Sequence, residues 1–169
     1  METKRLILRP WQEEDSAELF RYASDPLVGP RAGWPVHESV EDSRASIAGV
    51  LSEPGTYAIV LKETGLPIGS ISLHTGSATE LTDSPDEAEL GYWVGVPYWG
   101  QGIMHEAARR LIRYAVEEQG ITVLWCSSNA DNAQSQRVQE KLGFRPHSRT
   151  QGKEGEQGKV IMSLPLKRC

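Results

Sequence analysis

The sequence predicts a mixed α/β domain in which helices flank one central sheet. Two patterns support this fold class. Short apolar runs are typical of strands, and longer segments have apolar residues recurring every three or four positions, as in helices. The two kinds of segment interleave along the chain, which is typical of domains that pack helices on a sheet. A chain of 169 residues can build one full core, and we expect residues 1–169 to form a single domain.

The first half of the chain is expected to contain a strand, two helices and a β-hairpin. Asp15 with Glu18, and Ser39 with Asp42, have the spacing of capping boxes at the starts of the two helices. The turn Glu63–Pro67 separates two apolar runs and favours a hairpin. In order, these elements are the strand Arg5–Arg9, a helix from Asp15 to the stop at Asp25-Pro26, the helix Ser39–Leu51, and the strands Tyr57–Leu61 and Ile68–Leu73.

The second half alternates strands and helices and is expected to end in two strands. Its longest helix has the clearest pattern, because apolar pairs such as Leu111 and Ile112 are separated by charged residues. In order, the elements are the strand Glu87–Val94, the helix Ile103–Glu118, the strand Thr122–Cys126, a helix capped by Asp131 or Asn132 that runs to Leu142, a strand that begins at Phe144, and the strand Val160–Leu164. The whole order predicts one sheet of about seven strands flanked by about four helices.

Composition and charge exclude several classes of function. The net charge of −5 argues against nucleic acid as the main ligand. No apolar run approaches the roughly 18–20 residues of a membrane span, and the run after Met1 is too short for a signal peptide. Cys126 and Cys169 have no CxxC or zinc-ligand spacing. We therefore expect a cytoplasmic protein with no metal site and no membrane or nucleic-acid partner.

The most informative segment is the glycine-bracketed turn between the fourth strand and the third helix. Gly100 and Gly102 flank one residue where the helix begins, and the bare N–H groups of a helix start attract phosphate. The segment is not a P-loop, because no Gly-Lys-Ser/Thr follows at the required spacing. It is not a dinucleotide motif either, because His105 stands where the third glycine belongs.

Several motifs in order along the chain resemble the GNAT superfamily of acetyl-CoA-dependent N-acetyltransferases. They are most similar to the branch that includes the ribosomal-protein N-terminal acetyltransferases, and the resemblance spans roughly residues 3 to 146. The motifs are Thr3–Pro10, Ile68–Ile71, Glu89–Trp93, Tyr98–Gly102, Asn132–Ser135 and Glu140–Phe144. The resemblance implies a mostly antiparallel mixed sheet whose fourth and fifth strands splay apart. Two residues depart from the family pattern: Met104 stands where Gly or Ala is usual, and Gln139 stands where a tyrosine often protonates the leaving thiolate.

The resemblance also implies acetyl-CoA as cosubstrate, bound by residues on either side of the glycine turn. The pyrophosphate would lie on backbone N–H groups at the helix start, and the backbone at the end of the fourth strand would bond the pantetheine amides. Asn132 can cap its helix, bond the pantetheine arm, or do both. The residues expected to bind the cosubstrate are Trp93, Val94, Val96, Gly100, Gln101, Gly102, Ile103, Met104, His105, Asn132 and Ser135.

Ser135 and two glutamates are the candidates for proton transfer. Ser135 is either a small residue suited to helix packing, or the group that protonates the CoA thiolate or hydrogen-bonds the CoA sulfur. Glu87 and Glu89 face the same side of their strand, which is either an ordinary solvated face or a place where carboxylates serve the acceptor amine. We favour Glu89 as the base, acting directly or through water, with Glu87 beside the acceptor. A water chain without a protein base is the alternative.

The acceptor is expected to be a primary amine. In this family the loop between the first two helices shapes the acceptor pocket, so Trp34 and His37 are candidate acceptor-binding residues or else covers over the core. A protein N-terminus, such as that of a ribosomal protein, is the favoured acceptor. The alternatives are a small-molecule amine, or a non-catalytic module that only binds acetyl-CoA. The residues leave monomer and homodimer open.

Overall fold

The structure, a computed structural model, describes residues 1–153 and 155–167. Strands and helices follow one another in the predicted order, with one short helix added. The strands are β1 (Leu6–Arg9), β2 (Thr56–Leu61), β3 (Leu66–His74), β4 (Glu87–Val94), β5 (Val123–Asn129), β6 (Arg145–Thr150) and β7 (Lys159–Pro165). The helices are α1 (Ser16–Ala23), α2 (Gly29–Ala32), α3 (Val40–Ala48), α4 (Ile103–Glu117) and α5 (Ala133–Leu142).

The strands form one seven-stranded mixed sheet in the order β1-β2-β3-β4-β5-β7-β6. The pairs β1–β2, β2–β3, β5–β7 and β6–β7 are antiparallel, and β4–β5 is parallel. The parallel register runs only from Glu87 opposite Val123 to Glu89 opposite Trp125. The pairing therefore covers the beginning of β4, which agrees with the splayed fourth and fifth strands that the resemblance implies. The predicted fold class is confirmed.

Contacts within the chain divide it into two compact units. The first unit comprises Met1–Ser72 and Tyr92–Arg110, and the second comprises Leu73–Gly91 and the chain from Leu111 onward.

The core of the first unit is apolar and rich in tryptophan. Trp34 and Trp93 are partly buried and pack against this core. The Trp11 indole stacks on Trp93 with ring centroids 6.3 Å apart and donates a hydrogen bond to Ser70 Oγ at 3.1 Å. The buried members of the cluster are Trp11, Leu19, Ala23, Ile47, Ala58 and Val60. The cluster draws on α1, α3 and β2, so it fixes those helices against the sheet of this unit.

Local capping in the first unit follows the sequence at one helix and departs from it at the other. Ser39 and Asp42 form the predicted capping box, and each side chain accepts the other residue's backbone N–H at 3.1 Å. The box predicted for Asp15 with Glu18 is wrong. The Asp15 carboxylate instead pairs with both terminal nitrogens of Arg9, at 2.7 and 2.9 Å. Asp15 is the last residue of a 3-10 turn that precedes α1, and its Oδ2 also accepts the Gln12 N–H at 2.9 Å, which closes the capping box of that turn.

The second unit is built around β5, β6, β7 and α5. Leu124 and Cys126 on β5 and Met162 on β7 are almost fully buried, as expected for a strand of the buried type. α5 begins at the cap Asn132 and ends at Gly143, whose φ of +98° is the left-handed conformation common after a helix. Cys126 is buried in this core, and Cys169 lies outside the described residues.

Gly69 on β3 is required where β3 and β4 approach closely in the first unit. A Cβ at this position would collide with the Trp93 carbonyl oxygen and lie 2.9 Å from the Val94 Cα. We expect Gly69→Ala to lower the free energy of unfolding by about 2 kcal/mol, because backbone atoms cannot give way cheaply. Urea denaturation measures the change. The control is Gly65→Ala in the hairpin turn, where φ is +71° and the Cβ would meet no atom within 4 Å, so only about 1 kcal/mol of left-handed strain is added. Equal losses in the two variants would contradict the assigned collision.

Candidate active site

The glycine turn of the first unit leads from β4 into α4 through two left-handed residues. A short 3-10 turn, Val96–Tyr98, follows β4, and Gly100 and Gly102 then have φ values of +72° and +73°. Only glycine adopts this conformation without strain. A Cβ at Gly100 would meet no atom within 4 Å, and a Cβ at Gly102 would meet only Arg5 Nη2, at 3.7 Å. The turn therefore presents bare backbone with open space beside it.

The first turn of α4 supplies the hydrogen-bond donors of this turn. The bond from the Glu106 N–H to the Gly102 carbonyl, at 3.0 Å, links the helix to the glycine turn. The N–H groups of Ile103, Met104 and His105 lie ahead of that bond, so the helix supplies no carbonyl for them. Together with the positive end of the helix dipole, they can hold an anion such as a pyrophosphate. This geometry fits the group that the resemblance implies.

Met104, which departs from the family pattern, does not project over the turn. It is 6 % exposed, and its neighbour Ile103 is 3 % exposed. The Met104 side chain therefore lies on the buried face of α4. The sequence suggests that its bulk could keep a ligand away from the backbone, and the structure directs that bulk inward.

Side chains brace the glycine turn against β4. The Trp99 indole donates to the Val94 carbonyl at 2.9 Å, and the Gln101 amide donates to the Pro97 carbonyl at 2.7 Å. The Val96 carbonyl accepts the Trp99 backbone N–H at 3.1 Å. Two of the carbonyls in the segment predicted to contact pantetheine thus already accept bonds from the turn, and the end of β4 and the turn form one braced piece.

A cluster at the N-terminal strand also holds the turn, and the sequence did not reveal it. Arg5 Nη1 donates to the Gln101 carbonyl at 3.0 Å, and Arg5 Nε donates to Glu106 Oε2 at 2.6 Å. Glu106 Oε1 accepts the Arg5 backbone N–H at 2.9 Å and the Thr3 hydroxyl at 2.6 Å. Burial would raise the pKa of Glu106, but these hydrogen bonds outweigh it and lower that pKa. Glu106 is therefore ionised at neutral pH.

Trp34 and His37 lie against the tryptophan core of the first unit. The centroid of the Trp34 ring lies 5.6 Å from that of Trp93 and 5.3 Å from that of His37. His37 Nδ1 lies 2.8 Å from Ser43 Oγ, and Nε2 lies 3.3 Å from Ser46 Oγ. Burial lowers the pKa of His37, so the imidazole is neutral at physiological pH. Both residues are thus partly used in packing, and they stand beside the candidate pantetheine residue Trp93.

Glu87 and Glu89 are held by hydroxyl and indole donors in the second unit. Glu87 Oε2 accepts bonds of 2.6 Å from both the Thr82 hydroxyl and the Trp125 indole. Glu89 Oε2 accepts a 2.7 Å bond from Thr79. Its Oε1 accepts a 3.5 Å bond from Ser127. Their partners on β5, Trp125 and Ser127, are two residues apart and therefore lie on one face of that strand. The two glutamates accordingly share one side of β4, as strand alternation predicts. Thr79 and Thr82, in the loop between β3 and β4, thus help to orient the two carboxylates.

The helix α5 brings Asn132, Ser135 and Gln139 into one chain of contacts. Asn132 Oδ1 accepts the Ser135 backbone N–H at 3.2 Å, which makes it the helix cap. The Gln139 amide donates to Ser135 Oγ at 3.2 Å. Gln139 is fully buried, and within the described residues its Oε1 has no hydrogen-bond partner. Buried polar groups are nearly always paired, so this oxygen departs from the usual pattern.

Within residues 1–153 and 155–167, no group of three or more His, Cys, Asp or Glu side chains could hold a metal ion. In the same ranges, no helix has the length and apolar character needed to span a membrane.

The early end of the β4–β5 pairing and the glycine turn at the start of α4 are both features expected of a GNAT-type acetyltransferase. The family model of the acetyltransferase (GNAT) domain matches residues 5–145, and the chain belongs to this family. It is accordingly an acetyl-CoA-dependent N-acetyltransferase.

Similar proteins agree with this assignment. The uncharacterized N-acetyltransferase p20 of Bacillus licheniformis is 27 % identical over 164 residues, which cover 94 % of this chain and 89 % of that protein. The ribosomal-protein-serine acetyltransferase of Escherichia coli (strain K12) is 32 % identical over 116 residues, covering 66 % of this chain and 62 % of that protein. The crystal structure of a GNAT-family acetyltransferase from Bacillus anthracis has a TM-score of 0.85 at 20 % identity and covers 98 % of this chain and 97 % of that one. That structural likeness shows the shared fold.

Proposed function

We propose that this enzyme transfers the acetyl group of acetyl-CoA to the α-amino group of a protein, such as a ribosomal protein. The observation that carries the acetyl-CoA part is the open glycine turn at the start of α4. The similarity to a ribosomal-protein-serine acetyltransferase supports the choice of acceptor. Cytoplasmic location and a monomeric or homodimeric state stay predictions.

The glycine turn would hold the pyrophosphate through backbone donors. Gly100 and Gly102 leave the space open, and the N–H groups of Gln101 through Met104 would face the phosphates, with His105 adjacent. Backbone atoms of Trp93, Val94 and Val96 would bond the pantetheine amides. Asn132 uses its Oδ1 as the helix cap, so its amide nitrogen carries the donors suited to a pantetheine carbonyl.

The reaction needs one proton removed and one supplied. The amine nitrogen attacks the thioester carbonyl carbon, a C–N bond forms, and the C–S bond breaks. We assign Glu89 as the base that accepts the proton lost by the amine, directly or through one water. Ser135 would donate its hydroxyl proton to the departing thiolate and regain one from solvent. Trp34, His37 and Glu87 would bind the acceptor.

The hydroxyl contacts of Glu89 support its assignment as base and set up a test. Thr79 holds one carboxylate oxygen firmly, at 2.7 Å, while the Ser127 contact to the other is long, at 3.5 Å. We expect Glu89→Gln to lower kcat about a hundredfold, because an amide keeps the size but cannot accept a proton. The KM for acetyl-CoA should stay within about twofold.

The matched control for this variant is Glu87→Gln on the same face of β4. We expect it to raise the KM of the acceptor with a smaller change in kcat, since Glu87 is assigned to binding. Steady-state kinetics with both substrates varied provides the comparison. An unchanged kcat in Glu89→Gln would remove the residue from proton transfer and favour a water chain.

The acceptor is tested by measuring CoA release with a panel of amines and N-terminal peptides. The panel should contain peptides that begin with serine, free polyamines and amino acids. Turnover on peptides and not on small amines is the expected result. Turnover on spermidine but on no peptide would show a small-molecule amine acetyltransferase. CoA binding without turnover on any acceptor would show a binding module.

A further inference from the structure

Arg5 holds one peptide unit of the glycine turn in a defined direction. Its Nη1 donates to the carbonyl of Gln101 at 3.0 Å, and that carbonyl belongs to the same peptide plane as the Gly102 N–H. In a trans peptide the C=O and N–H bonds point in opposite directions. A guanidinium that holds the Gln101 carbonyl on its own side therefore turns the Gly102 N–H to the opposite side.

Glu106 keeps the Arg5 guanidinium in place. It accepts Arg5 Nε at 2.6 Å and the Arg5 backbone N–H at 2.9 Å, and the Thr3 hydroxyl adds a third bond at 2.6 Å. The planar guanidinium can satisfy the carboxylate and the carbonyl together because its donors diverge in a rigid fork. The side chains of Arg5 and Glu106 are 40 % and 21 % exposed, so this bracing is largely shielded on the carboxylate side.

The ion pair also answers an electrostatic problem at this helix start. Glu106 lies in the first turn of α4, where a free carboxylate would repel a bound phosphate. The Arg5 charge compensates that carboxylate at a distance of 2.6 Å. Because the charges of Arg5 and Glu106 cancel, the electrostatic potential at the turn is determined by the helix dipole and the backbone N–H groups.

From these contacts we infer that Arg5 is a positioning residue for acetyl-CoA binding, which orients the Gln101–Gly102 peptide so that its N–H faces the pyrophosphate. The inference rests on the proposed function, because it takes CoA as the ligand of the turn. Arg5 acts through the loop and not as a charge on the phosphate itself.

The test is calorimetric titration of CoA into the wild-type protein and the variants Arg5→Lys and Arg5→Met. We expect Arg5→Lys to bind CoA roughly thirtyfold more weakly, because lysine cannot hold the Gln101 carbonyl and Glu106 together. Arg5→Met should lose at least as much affinity, since it also leaves the Glu106 carboxylate uncompensated. Lys62→Met is the control, since Lys62 bonds the Thr3 carbonyl at 2.8 Å and Glu2 at 2.9 Å without touching the turn. It should bind CoA like the wild type.

A second ligand separates positioning from general damage. S-Acetyl-pantetheine lacks the pyrophosphate, so its kcat/KM should be the same in wild type, Arg5→Lys and Arg5→Met. The 3′-dephospho form of CoA should show the same thirtyfold loss as CoA, because it keeps the pyrophosphate.

Four results would overturn the inference. Near-normal CoA affinity in Arg5→Lys would show that charge alone matters, and unchanged affinity in both variants would show that Arg5 has no part in binding. Equal losses with S-acetyl-pantetheine would show a purely structural role. A loss that disappears with dephospho-CoA would place Arg5 at the 3′-phosphate. Failure of the wild type to bind CoA would instead remove the proposed function itself, together with the inference that rests on it.

Discussion

Gly102→Asp is expected to weaken CoA binding about a thousandfold. The substitution places a carboxylate where the Cβ position is open on every side except toward Arg5 Nη2, 3.7 Å away. Two unit charges about 4 Å apart near a protein surface repel by about 4 kcal/mol, and each 1.4 kcal/mol is roughly tenfold in affinity. The new carboxylate would also compete for Arg5, so it would disturb the turn as well as repel the phosphates.

Two variants separate charge from backbone strain in this experiment. Gly102→Asn has nearly the same shape and tolerates the left-handed conformation, but it is neutral, so we expect about a tenfold loss or less. Gly65→Asp adds the same charge at almost the same φ, +71° against +73°, in the hairpin turn between β2 and β3. It should bind CoA normally. Calorimetric titration gives the affinities, and wild-type affinity in Gly102→Asp would mean that the turn does not bind the pyrophosphate.

The order of strands and helices was predictable because it depends on local periodicity. Ser39 and Asp42 formed the capping box that their spacing indicates, and α4 ends within one residue of the predicted Glu118. Asp15 failed the same rule. The partners of its carboxylate, Arg9 and Gln12, lie six and three residues earlier in the chain, whereas the capping-box rule looks only at the residues that follow the cap.

The parts of the candidate site that consist of backbone could be predicted from the sequence. The parts that depend on contacts between side chains far apart in the chain could not. The left-handed Gly100 and Gly102 follow from their residue type at a helix start. Arg5 and Glu106 are 101 residues apart, and no local pattern links them. The sequence shows a charged residue in the opening motif and an acid in the first turn of α4, but nothing in it indicates that the two are in contact.

In the second unit, too, the strand residues were predictable and the loop residues that contact them were not. Strand alternation placed Glu87 and Glu89 on one side of β4, and the structure agrees through Trp125 and Ser127 on the neighbouring strand. Thr79 and Thr82, which orient the two carboxylates, come from a loop that has no periodicity to read. Loop side chains reach their partners through tertiary folding, so their roles appear only with coordinates.

The second large effect that we expect is on the kcat of Ser135→Ala. We expect kcat to fall roughly two to three orders of magnitude, because general-acid catalysis by a positioned side chain is worth about that much. CoA affinity should change less than about threefold, since alanine keeps the helix and its cap: Asn132 bonds the Ser135 backbone N–H, which alanine retains. Titration with CoA and steady-state kinetics provide the two numbers.

Gln139 links this prediction to the buried contact seen in α5. Its amide donates to Ser135 Oγ at 3.2 Å, so the Ser135 hydroxyl accepts on the helix side and must direct its own proton to another acceptor. Gln139→Met, which keeps the volume and removes the donor, should therefore lower kcat about tenfold and leave CoA affinity unchanged. Ser163→Ala on β7 in the same unit should leave both quantities near wild type. If Ser135→Ala retains full turnover, the serine has only a packing role.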